Sequence, residues 1–470
     1  MNVFLLLPRS LNPKQTYREY PLGVGLIATA LRRQGHEVAV FDQSAEGADD
    51  ERLLARLRDF CADLVGLSVI TPSYPVAQRQ LRRLRREFPR MPIVAGGIHA
   101  SLFPQDFLAD GADAVVLGEG CAAMVELLRR LSRRRSWRDV PRVVSAAGGG
   151  LSQFSFGDRS RSQENGTVPL AGAAKGPDLA ELGIVDRDVY NLPLYTHHSM
   201  LASRGCPYRC AFCANYTGRV LRGGVTIRSA GELCAEMRYL VDRYAAKEVF
   251  FVDDVFLMAR RNVLEFCDRL VQECLDVQWV AQMRADSIDP QVAAAMVAAG
   301  CQRVYFGVES GSEAVLKRIQ KGIDRETIRL GVRSAKDAGM RVKTGWVFGL
   351  PGTLDEQYES VSFMRELRPQ EISIHQLIPF PGTLYYERPA EHGLRIRDPK
   401  DFASFCYGGL NDNISFDYLD RGQLLELLEH TVAALEAEGY VSSDRATPRD
   451  EYVFSTPLNS LSMSVFHQRD

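Results

Sequence analysis

Hydrophobic residues along the first 140 positions fall into short continuous runs separated by amphipathic stretches. Apolar runs at 2–7, 37–41, 64–69, 93–95 and 114–117 predict strands buried on both faces. Helical periodicity at 25–34, 51–60, 75–88 and 122–131 predicts the helices between them. Strand–helix alternation with unbroken apolar strands predicts a parallel, doubly wound sheet. Residues 142–194 break the pattern. Ser, Gly, Ala and Asn dominate up to about 178 with no sustained period, which reads as a linker. A second alternation runs over 195–395, with strands near 200–203, 248–252, 279–283, 303–308, 343–348 and 372–377. Ser229-Ala230-Gly231-Glu232 is a capping box that starts the helix before its second strand. In the region 396–470 one amphipathic helix, about 422–438, carries Leu424, Leu425, Leu427, Leu428 and Val432 near one face. It reads as a cap on the second domain, with partner binding as the alternative.

Length adds two or three domains to this picture, since the chain has 470 residues. A net charge of −2 gives no reason to invoke nucleic acid or an anionic membrane. The arginine clusters at 82–86 and 133–135 read as solvated helix faces. The apolar start at 3–7 is too short for a span or a signal, so a cytoplasmic protein is expected.

Chemistry enters at Cys206, Cys210 and Cys213, spaced C-x-x-x-C-x-x-C. Three thiolates on one loop can hold three irons of a four-iron cluster and leave the fourth open. A structural zinc site would need a fourth ligand, and no second Cys/His pair stands at zinc spacing. The other seven cysteines are scattered singly and read as small buried hydrophobes, which also argues against an auxiliary cluster.

The cysteine spacing and its surroundings resemble the radical S-adenosylmethionine (SAM) superfamily. That resemblance implies a 4Fe–4S cluster whose open iron chelates SAM and whose electron breaks the C5′–S bond, giving a 5′-deoxyadenosyl radical. It also implies a partial (β/α)6 barrel with its site at the C-terminal strand ends. Residues Pro21-Leu22-Gly23, Ala95-Gly96-Gly97 and Leu117-Gly118-Glu119-Gly120 resemble the Rossmann-like, cobalamin-binding-type domain that precedes many such barrels. The D-x-H-x-x-G signature, whose histidine ligates cobalt in some of them, is missing, and relatives without it include cobalamin users and bare scaffolds. Cobalamin therefore stays open at this stage. His99 reads as a satisfied turn residue rather than a cobalt ligand.

Further roles are carried over motif by motif. Phe212 is placed against the adenine, and Asp253 or Asp254 at the methionyl ammonium. Glu309, supported by Ser310, is placed at the ribose. Gly349 lies on a strand that backs the adenine, and Arg284 is placed near the SAM carboxylate or a substrate oxygen. Within the superfamily the layout resembles the aminoglycoside diol dehydratases of apramycin-type pathways, implying a paromamine-like pseudodisaccharide as substrate. Radical dehydration needs an acid and a base near the 5′-carbon, and Tyr216 and His375 are the candidates. Asp253, Asp254 or Glu371 would attract the polyamino sugar. The resemblance further implies a flavodoxin-like one-electron reductant and a nicotinamide-dependent reductase for the keto product. The alternatives are a cobalamin-dependent radical SAM methyltransferase and a non-catalytic metal-binding scaffold.

Overall fold

The computed structural model describes residues 1–10, 20–137, 139–145, 183–195, 197–214, 225–407, 410–442 and 465–468. Tyr216 and most of the expected linker lie outside them. The chain divides into two compact units. The first comprises Met1–His197, Thr217–Gly224 and Lys400–Cys406; the second comprises His198–Tyr216, Val225–Pro399 and Tyr407–Asp470.

In the first unit, β1 (Asn2–Leu7), β2 (Glu37–Asp42), β3 (Leu64–Ser68), β4 (Ile93–Gly96), β5 (Ala114–Val116) and β6 (Val143–Ser145) form one sheet in the order β2-β1-β3-β4-β5-β6. All pairs are parallel except β5–β6. The strand order reverses between β1 and β3, the kind of switch point where doubly wound sheets open a crevice. Helices Leu22–Arg33, Asp50–Asp59, Tyr74–Glu87 and Cys121–Ser132 lie within a few residues of their expected bounds.

In the second unit, β7 (His198–Met200) is followed by the two-residue strands β8 (Ser203–Arg204) and β9 (Thr226–Ile227), which pair with each other. Strands β10 (Glu248–Phe251), β11 (Gln278–Met283), β12 (Cys301–Glu309), β13 (Arg341–Phe348) and β14 (Glu371–Gln376) continue from β7 as six parallel strands. This is the expected partial barrel. β15 (Leu394–Ile396) and β16 (Ile414–Phe416) make a separate antiparallel pair. β17 (Tyr440–Ser442) and β18 (Val465–Gln468) extend the sheet antiparallel beyond β14.

The two sheet faces of this unit differ in chemistry. Val304, Phe306 and Val308, then Val342, Trp346 and Phe348, then Ile372 and Ile374 are buried in one apolar core. The alternate positions belong to the other face, because successive strand side chains point to opposite sides. They read Gln278, Val280 and Gln282 on β11; Arg303, Tyr305, Gly307 and Glu309 on β12; Arg341, Lys343, Gly345 and Val347 on β13; Glu371, Ser373 and His375 on β14. Register places Tyr305 beside Lys343, Gly307 beside Gly345, and Gly345 beside Ser373. The barrel therefore has an apolar rind and a largely polar lumen. Helix Arg421–Ala437 buries Leu424, Leu427, Leu428 and Leu435 in the same core, so its apolar face is already covered.

Candidate functional site

The cluster loop leaves the barrel at the C-terminal end of β7. Two buried charges pin its root. Arg228 donates to the Leu201 carbonyl at 3.0 Å and pairs with Glu236, while its own N–H reaches the Ala202 carbonyl at 2.9 Å. From the other side Asp253, 2% exposed, accepts the backbone N–H groups of Ala202 and Ser203. Its carboxyl also lies 2.7 Å from the Ser203 hydroxyl, which is 2.8 Å from the Val255 carbonyl. The Ser203 hydroxyl thus lies between two acceptors, and burial pushes the Asp253 carboxyl up to about 7 against the pull of its hydrogen bonds. Asp253 is thus committed to the loop's root, leaving half-buried Asp254, close enough to oppose ionisation of Cys206, as the acidic group facing the loop.

Cys206, Cys210 and Cys213 are all reduced and half-buried on this loop. The Cys213 N–H bonds to the Cys210 carbonyl at 3.2 Å, and the Ala211 N–H to Ile319 at 2.9 Å. Burial raises the Cys206 and Cys210 thiols. The Tyr208 N–H opposes this at Cys206, as do the Lys321 and Arg284 cations at Cys210. Three thiols on one turn, with an N–H donor and two cations around them, fit a cluster bound as thiolates. Among the described residues no group of three or more His, Cys, Asp or Glu is arranged to hold a single metal ion.

Arg284 is 5% exposed and lies 3.6 Å from the Tyr208 ring centroid. It donates to the Lys321 carbonyl at 2.8 Å and to both Asp286 oxygens, so the guanidinium braces the loop. Glu309 ends β12 at a bulge with φ +71°, a left-handed conformation uncommon for glutamate. Its carboxylate receives the Lys321 ammonium at 2.9 Å. Burial alone would lower that ammonium's pKa, but Glu309 and Cys210 outweigh it and hold the pKa above the ordinary lysine value. Lys321 has no sequence signal beyond a lysine before Gly322, and sequence reading missed it.

Ser310 is buried and accepts the Ser312 N–H at 3.1 Å, shaping the turn after Glu309. Gly349, at φ +81°, faces the Phe416 ring, which a Cβ there would approach to 2.8 Å. Its carbonyl accepts the Tyr418 hydroxyl at 2.9 Å. A protein ring thus accounts for this glycine. Phe212 packs half-buried against the core. His375 places Nε2 2.8 Å from the Ser373 hydroxyl, and its Nδ1 is buried without a partner. Burial, aided by Lys343, lowers its pKa to about 4, so it is neutral near pH 7 and able to accept a proton. Its ring lies 4.7 Å from that of Tyr407, whose phenol is raised by burial and then by Cys213 and Glu309. Tyr407 is a lumen residue that sequence reading missed.

Of the carboxylates expected to attract a polyamino sugar, Asp253 is committed as described, and Glu371 is 1% exposed between Arg303 and Arg341.

In the first unit the ends of β4 and β5 carry Gly96, Gly97, Ile98, Gly118, Glu119 and Gly120, all half-exposed. Gly97, at φ +91°, lies so near Val69 that a Cβ would sit 2.7 Å from its backbone. The Gly118 N–H donates to Ser101 Oγ at 2.9 Å. An open rim of small residues fits a flat ligand held by its edge. His99 is not on that rim. It is fully buried among Tyr74, Phe103, Phe107 and Phe402, with ring centroids 4.4–5.9 Å away.

The family description "B12 binding domain" matches residues 11–128, and "Radical SAM superfamily" matches residues 200–364. The chain carries a B12-binding domain and a radical SAM domain. This pairing implies a 4Fe–4S cluster and SAM for the radical SAM domain, and the B12-binding domain supports cobalamin as a candidate ligand. An uncharacterized methyltransferase of Pyrococcus horikoshii is 27% identical over 381 residues, covering 80% of each chain. The anaerobic magnesium-protoporphyrin IX monomethyl ester cyclase of Rubrivivax gelatinosus is 24% identical, covering 86% of this chain and 72% of its own. The structure of the radical SAM methyltransferase TsrM from Kitasatospora setae, with cobalamin and a [4Fe-4S] cluster bound, superposes with a TM-score of 0.70 at 20% identity. It covers 93% of this chain and 90% of its own. Among the described residues no helix is long and apolar enough to cross a membrane.

Proposed function

We propose that this enzyme is a cobalamin-dependent radical SAM methyltransferase acting on an unactivated carbon of a small molecule. The observation that carries this reading is the braced three-cysteine loop in the same chain as a B12-binding domain. The relatives named for methyl transfer support it over diol dehydration. So does the electrostatics, because Asp253 and Glu371, two carboxylates that would have attracted an aminoglycoside, are already engaged.

When bound, the cluster would supply one electron to SAM and the corrinoid a methyl group. The protein's own part is to hold and orient. Cys206, Cys210 and Cys213 hold the cluster; Asp254 accepts the methionyl ammonium; Phe212 packs on the adenine; Glu309, fixed by Lys321, accepts the ribose hydroxyls. Neutral His375 offers its unpartnered Nδ1 to orient the substrate by a hydrogen bond. A one-electron donor of flavodoxin type completes the set.

Anaerobically reconstituted protein, supplied with hydroxocobalamin, SAM and a reductant, tests the proposal. Retained corrinoid, with S-adenosylhomocysteine formed alongside 5′-deoxyadenosine, is the expected result, and Cys206→Ala should abolish both products. Formation of 5′-deoxyadenosine and methionine alone, without corrinoid, would overturn methyl transfer and return dehydration to the front.

A further inference from the structure

Two cations are built into the wall around the cluster loop, and neither is a surface charge. Lys321 is 6% exposed and Arg284 5%. Both are tied to the loop by geometry as well as by charge. The Ile319 carbonyl, two residues before Lys321, accepts the N–H of Ala211, the neighbour of Cys210, at 2.9 Å. Arg284 lies over the ring of Tyr208, which stands between Cys206 and Cys210, and donates to the Lys321 carbonyl at 2.8 Å. Burying charge is costly, and a loop in need of mechanical support alone could be held by neutral donors.

Carboxylates stand in the same wall. Glu309 pairs with Lys321 at 2.9 Å and Asp286 with Arg284 at 3.0 Å, while Asp254 acts on Cys206. The region is therefore not positive as a whole, and orientation decides what each sulfur meets. At Cys210 the Lys321 ammonium acts more strongly than the Glu309 carboxylate, and Arg284 adds to the ammonium. The cationic end of the Lys321–Glu309 pair is turned towards Cys210. A four-iron cluster that accepts one electron gains one unit of negative charge. A fixed cation beside it favours the reduced form, and a fixed carboxylate favours the oxidised one.

We propose that the buried Lys321–Glu309 pair sets the reduction potential of the cluster, with Lys321 raising it and Glu309 lowering it. The electron comes from the one-electron donor of flavodoxin type, and both members of the pair keep their charges throughout. The inference rests on the three-cysteine loop holding a cluster, not on methyl transfer.

The test uses the full-length chain, anaerobically reconstituted with iron and sulfide. Without SAM, it is titrated with dithionite against viologen mediators, and the reduced cluster is followed by EPR in samples matched for iron content. Lys321→Gln should make the reduced-to-oxidised ratio at a given potential roughly tenfold smaller, a midpoint lower by about 59 mV for a one-electron couple. Glu309→Gln should move the midpoint upwards, and Lys321→Arg should stay near the wild type. The double variant Lys321→Gln with Glu309→Gln leaves no buried carboxylate unpaired at this position. Comparing it with Glu309→Gln reads the lysine charge even where Lys321→Gln alone assembles no cluster. A pair that only held the loop would shift both single variants in one direction or in neither. Shifts of the same sign, unchanged midpoints in cluster-replete variants, or a double variant equal to Glu309→Gln would overturn the proposal. Wild-type protein that takes up no iron would overturn the cluster assignment itself, a failure that these midpoint comparisons keep separate.

Discussion

His99 shows how a single buried ring couples stability to pH. Its Nδ1 lies 3.3 Å from the Thr71 hydroxyl, and its Nε2 has no partner inside an aromatic box. Burial lowers its pKa from 6.5 to about 3, so the folded chain keeps the ring neutral where the unfolded chain protonates it. Between those values the unfolded state binds the extra proton, and stability therefore falls as pH drops from about 6.5 towards 3. His99→Phe should remove this contribution while filling the same box. Calorimetry of the first unit between pH 7.5 and 5.5 is expected to show a shallower loss in the variant, the difference growing by up to about 1.4 kcal/mol per pH unit. Parallel pH profiles would show that His99 is not the group responsible. At this scale sequence reading could name residues but not aim them. Asp253 and Asp254 are adjacent and chemically identical, and only the backbone turn after β10 sends one under the loop and leaves the other beside Cys206.

Strands were the most legible elements. Continuous apolar runs in the first unit and polar–apolar alternation in β11 to β14 are direct images of burial on two faces or on one. The helices were bounded by caps visible as letters, such as Ser229 with Glu232. Illegible were features that need the partner strand. Gly345 could be read as backbone freedom for a ligand, whereas its neighbour is the Tyr305 hydroxyl from β12. Gly345→Ala should therefore force Tyr305 aside and destabilise the second unit by about 1–3 kcal/mol. Adding Tyr305→Phe should recover part of that loss, because the clashing atom is the hydroxyl. A double-mutant cycle from urea denaturation checks it, and strict additivity would mean that the two sites are uncoupled.

For the whole molecule, each unit has its own sheet. Ligands that bind only folded protein stabilise the unit that holds them, by about 2.7 kcal/mol at a hundredfold excess over Kd. Hydroxocobalamin is thus expected to raise the calorimetric transition of the first unit, and SAM, with the cluster in place, that of the second. A single transition moved alike by both ligands would show that the units melt together. The return of Lys400–Cys406 to the first unit was not legible in the sequence, because Phe402 finds its aromatic neighbours some 300 positions earlier, at Tyr74, His99 and Phe103.

The antiparallel strand β18 lies along β14, pairing Glu371 with His467, Ile372 with Phe466 and Ser373 with Val465. Without it, the last parallel strand would present a bare row of amide and carbonyl groups, the usual template for sticking to another molecule. A shortened version cut before Tyr440, the kind of trimming often done to aid crystal growth, would strip away that guard. Such a truncation should be judged by its tendency to self-associate before any loss of turnover is blamed on chemistry.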